Sequence, residues 1–118
     1  MGYFFVRALC NFLSMSETKC LVGYVLGVVS DVTDVPVELI VGRCGVADVV
    51  DARHIAAMVL WRAGLHIRQI ADAMGVTRRY VQYIVTDFEA RVGSRRHVRR
   101  MYELVWNHVR NGLEMMAS

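Results

Sequence analysis

One proline among 118 residues leaves this chain almost without the residue that most firmly interrupts a helix. Cysteine is sparse too: Cys10, Cys20 and Cys44 are odd in number and form no C-x-x-C pair. That spacing excludes a disulfide framework and a zinc module, and it suits a reducing, cytoplasmic compartment. The four histidines, His54, His66, His97 and His108, fall in no H-E-x-x-H or Cys/His ligand pattern. No phosphate-binding loop, dinucleotide fingerprint, nucleophile elbow or carboxylate pair is present, so neither an enzyme nor a cofactor is expected. The apolar opening "MGYFFVRALCNFL" is too short to span a membrane and has no clean signal cleavage site, so no membrane partner is expected.

What remains is an apolar, helix-permissive chain of one-domain length, 55% hydrophobic. An all-α, compact multi-helix domain is the expected fold class. Charge is divided along it. Residues 1–52 carry three basic against six acidic side chains, whereas residues 53–110 carry eleven arginines against Asp72, Asp87, Glu89 and Glu103. Such a division points the second part towards a polyanion, with nucleic acid first among the candidates.

Residues 1–15 read as an apolar extension, and Met15, just ahead of the helix cap Ser16, is a second candidate start. Leu21, Val25, Val28 and Val32 then recur at helical spacing as a first core helix. Asp34 is expected to cap a short helix that has Pro36 in its first turn and ends at Gly42. Asp48 and Asp51 resemble an acidic capping box for the next helix, an amphipathic one with Ala52, Ile55, Ala56, Met58, Val59 and Arg62 near one side. Arg53 and His54 fall off much of that stripe and are expected to face a ligand.

Residues 67–88 carry the most specific pattern. A helix-turn-helix needs a small residue in its first helix, a glycine for a left-handed turn and apolar residues that lock the helices together. Ala71, Gly75, Val81 and Ile84 meet these needs, with Ile70, Met74 and Val76 adding contacts. Thr77 is a natural N-cap for the second helix, and Val81, Ile84, Val85 and Phe88 form its inward side. Arg78 and Arg79 then occupy the amino-terminal turn, where a recognition helix meets base edges, with Gln82, Tyr83 and Thr86 farther along the outward side. Arginine pairs bidentately with guanine and glutamine with adenine, while a tyrosine hydroxyl suits phosphate. A last helix is expected after a Ser94 cap, with Val98, Met101, Tyr102 and Val105 turned inward and Arg95, Arg96, Arg99 and Arg100 forming a phosphate-binding flank. Trp61 and Trp106 are expected in the core. The domain is expected to span 16–110, with 111–118 as a tail.

From about Val32 to Val109 the order of these elements resembles the carboxy-terminal DNA-binding domain of the bacterial replication initiator DnaA. The stretches that carry the likeness are "VPVELIVGRCG" and "VVDARHIAAMVLWRAGLHIRQIADAMG", followed by a recognition helix and a trailing helix. The resemblance implies that Arg53, with His54 in place of a usual glutamine, contacts the DNA backbone or groove edge. It also implies that the preceding loop, where Arg43 is the available cation, faces the minor groove. The chain departs from the family at "VTRRYV", one residue shorter across the turn, so the base readers and the target sequence are expected to differ.

The reading is therefore a stand-alone, nucleoid-associated binder of double-stranded DNA without ATPase activity. It would be a small regulator or replication accessory factor of phage or mobile-element type, with a replication or transcription protein as a further partner. Two alternatives stay open. One is a helix-turn-helix repressor or recombinase-associated subunit on a pseudo-palindromic site. The other is a helical protein-interaction module that uses Tyr3, Phe4, Phe5 and Phe12.

Overall fold

The computed structural model describes residues 15–92 and 95–117, and these form an all-α fold of six helices. The apolar extension, apart from Met15, and the Ser94 cap lie outside the described residues.

Helix α1 (Met15–Thr33) buries Leu21, Val25, Leu26 and Val29. Val28 and Val32, expected on that line, are only half-buried because α1 lies against both α3 and α6 and turns the strip between them inward. Asp34 does not cap the following helix. It ends α1 instead: its φ is 63° and its N–H donates to Ser30 O at 2.8 Å. Aspartate is one of the few residues with a side chain that tolerates this left-handed geometry. Pro36 then stands at the N-cap of the single-turn helix α2 (Val37–Ile40).

Helix α3 (Ala47–Arg62) is the axis of the domain, in contact with all five other helices. Residues Ala52 to Leu60 are buried without a break. The amphipathic helix read from the sequence is thus enclosed on every side, and the small residues Ala52, Ala56 and Ala57 let its neighbours approach. The acidic capping box does not form, since Val46 is the N-cap and Asp51 binds a distant arginine. Asp48 stays in the first turn, where a carboxylate favours the helix dipole. The helix stops at Gly64, whose φ of 114° suits a residue without a side chain.

Helices α4 (Ile67–Met74) and α5 (Arg78–Val92) pack on each other and on α3. Helix α6 (Arg96–Ala117) closes the bundle and buries Val98, Tyr102, Val105, Trp106, Val109 and Leu113. The expected tail is therefore helical through most of its length, because Leu113 extends the buried stripe one turn past Val109. Met101 is half-buried, as is Trp61, whereas Trp106 is interior. Phe88 meets Tyr102 edge-on with ring centroids 4.7 Å apart, fastening α5 to α6. Arg62 donates to the Tyr102 hydroxyl at 2.8 Å and lies over the Trp106 ring at 4.4 Å, which joins α3 to the same cluster.

Candidate nucleic-acid interface

The turn between α4 and α5 is built from three local devices. Gly75 adopts φ 68° and ψ 33°, and its N–H together with that of Val76 bonds back to Ala71 O. A side chain at position 75 would be strained in this left-handed backbone, so the glycine is required by conformation. Thr77 Oγ1 accepts the Tyr80 N–H at 3.1 Å, which caps the start of α5. Val81, Ile84 and Phe88 are then driven inward and Val85 sits at the margin. A 100° step per residue leaves Arg78, Arg79, Gln82 and Thr86 in one exposed sector, with Tyr83 at its edge. Arg78 and Arg79 form no ion pair with any described residue. Gln82 Nε2 donates to Thr86 Oγ1 at 3.1 Å, a bond that uses one of the two amide hydrogens and leaves the other and Oε1 for a further partner.

Beside this turn lies a shallow groove between the 42–46 loop, the start of α3 and the first turn of α5. Gly42 N–H donates to Met74 O at 3.0 Å and ties the loop to the turn. Arg43 is exposed on the groove's wall. Arg53 and His54 depart from their expected outward placement, since they are 3% and 6% exposed. The Arg53 guanidinium donates through Nε to Ile40 O at 2.9 Å and through Nη2 to Leu39 O at 3.1 Å. Those carbonyls end α2 and lack helical partners of their own, so Arg53 holds the end of α2 and the loop that carries Arg43. His54 Nε2 lies 3.1 Å from the Tyr80 hydroxyl. Both residues support the exposed face from beneath, because enclosure of α3 leaves it no outward side at their positions.

The arginines at the start of α6, from Arg95 just before it, are placed unlike the pair on α5. Arg95 makes two parallel bonds to Asp51 at 2.8 and 2.9 Å. Arg99 bonds Glu89 at 3.0 Å and lies 3.4 Å from Glu103. Glu89, then Glu103, raises the Arg99 pKa by holding its protonated form. Arg96 and Arg100 are exposed and form no ion pair with any described residue. Because Glu89 belongs to α5, the flank stands against the carboxy-terminal half of that helix. Arg78 is eleven positions before Glu89, about 16 Å along the axis. The expected four-arginine flank is thus reduced to two free cations beside two that already hold carboxylates.

Asp51, Tyr80 and Glu89 shape this face although the sequence does not mark them as site residues. Asp51 and Arg95 are 44 positions apart and leave no local signal. Arg99 and Glu103, at i and i+4, are a pair that the sequence does expose.

Among the described residues no cluster of His, Cys, Asp or Glu could hold a metal ion, and no helix is long and apolar enough to cross a membrane. Comparison with family models, with curated proteins and with solved structures finds no match to this chain.

Proposed function

We propose that this protein binds double-stranded DNA and reads its sequence through α5, acting as a small regulator or replication accessory factor on the nucleoid. The observation that carries this reading is the pair Arg78 and Arg79. They are exposed and free of carboxylates on the first turn of a helix whose start is fixed by Gly75 and Thr77. Arginine in that place makes bidentate bonds to guanine O6 and N7 when the helix enters the major groove. Gln82 and Thr86 lie one and two turns farther along the same sector. Arg43 at the groove, with Arg96 and Arg100 beyond the other end of α5, supplies phosphate contacts that add affinity without sequence choice. Arg53 enters this reading as a positioning residue for the Arg43 loop. The resemblance of the sequence to the DNA-binding domain of DnaA supports this reading, while the residues offered to the bases are this chain's own.

Selection of bound sequences from a random duplex library tests the proposal. The wild type is expected to enrich a defined motif, and the Arg78→Ala/Arg79→Ala variant to lose it. A library that returns unenriched from the wild type would overturn the reading. A palindromic motif would indicate two copies per site, and a single motif one copy.

A further inference from the structure

His54 and Tyr80 meet directly beneath the first turn of α5. The two rings stand edge to face with centroids 5.8 Å apart, and the imidazole Nε2 is 3.1 Å from the phenol oxygen. His54 belongs to the buried stretch of α3, the axis of the domain, and is 6% exposed. Tyr80 is held a second time through its main chain, whose N–H reaches the Thr77 cap. The residue immediately after Arg79 is therefore fastened both to the turn and to the core. Val81, the next residue, is fully buried and its N–H bonds Thr77 O at 3.2 Å, so the two residues that follow the arginines are both anchored, whereas Arg78 and Arg79 project into solvent.

Rotation of α5 about its axis is the motion such a clamp would resist. At a side-chain radius of about 6 Å, a turn of 10° carries a group roughly 1 Å. Hydrogen bonds tolerate a window of only about 0.5 Å in length, and a bidentate contact must satisfy two of them together. Phosphate contacts through flexible side chains are far more forgiving. A small rotation would thus erode base choice before it eroded total affinity.

We infer that His54 and Tyr80 act as a positioning clamp that sets the rotation of α5 and, through it, the selectivity of Arg78 and Arg79. The inference rests on the DNA-reading proposal for its consequence and on the geometry of the clamp for its cause. The two are separable by experiment. Tyr80→Phe keeps the ring and deletes the hydroxyl. His54→Leu deletes the ring nitrogens, and His54→Gln retains a polar amide able to reach the hydroxyl.

Two readouts are compared: amide hydrogen exchange across 78–83 without DNA, and the ratio of affinities for the selected and a scrambled duplex. Tyr80→Phe and His54→Leu are expected to speed exchange in 78–83 relative to 67–74. They are also expected to lower the affinity ratio about fivefold or more, the lower range for one bidentate base contact, with scrambled-duplex affinity unchanged. His54→Gln is expected to recover most of both. Thermal melting run alongside identifies a variant that simply unfolds. Unchanged exchange and an unchanged ratio in Tyr80→Phe would overturn the clamp. If the wild type prefers no duplex, the DNA reading and the selectivity consequence fall together, and the exchange comparison decides the clamp by itself.

Discussion

Two arginine groups stand at the starts of consecutive helices, and they are not equivalent. Arg78 and Arg79 on α5 have no carboxylate partner among the described residues, whereas Arg95, just before α6, and Arg99 on it hold Asp51, Glu89 and Glu103. In the sequence the second group is the richer, with four arginines in six positions. In the fold Arg95 is neutralised by one carboxylate and Arg99 is outnumbered by two, which leaves Arg96 and Arg100 as the unpaired cations there. Charge counted along a chain therefore overstates charge offered to a partner when a third element brings carboxylates alongside. On the DNA-reading proposal it also separates two tasks, with base choice assigned to the start of α5 and weaker, sequence-blind attraction to the start of α6.

That contrast can be broken experimentally, and the largest effect is expected at α5. Arg78→Ala and Arg79→Ala are each expected to cost about 1–3 kcal/mol on the selected duplex, read as the change in Kd, with little loss on scrambled DNA. Arg96→Ala and Arg100→Ala are expected to weaken all duplexes alike and to reduce the slope of log K against log salt by about 0.9 for each lost contact. Glu89→Gln sharpens the comparison from the other direction: it releases Arg99 from its closest carboxylate and is expected to steepen that slope, by up to about 0.9, without altering the selected motif. The smallest effect concerns the protein alone. Asp51→Asn is expected to lower stability by no more than about 1 kcal/mol, measured by urea unfolding at low salt, because the Arg95 partner is 43% exposed.

Much of this architecture is legible residue by residue. The Gly75 turn, the Thr77 cap and the inward line Val81, Ile84 and Phe88 are local features, and local rules locate them. Ambiguity begins where a third element decides. Arg53 and His54 lie off the apolar stripe of their helix, and only the enclosure of α3 by five neighbours makes those positions interior. Asp34 has the composition of an N-cap, yet the chain uses its tolerance of positive φ to end the preceding helix. The ion pair between Asp51 and Arg95 joins distant turns and has no periodic trace. The continuation of α6 beyond Arg110 is of another kind, because Leu113 follows Val109 at helical spacing and the stripe is visible in the sequence.

The most direct test of the central claim measures Kd against salt on the selected and a scrambled duplex. It compares the wild type, Arg78→Ala/Arg79→Ala and Arg96→Ala/Arg100→Ala. The account predicts that the first variant loses the preference between duplexes, while the second keeps it and shows a flatter salt slope. Loss of preference in the second variant with its retention in the first would contradict the assignment of base reading to α5.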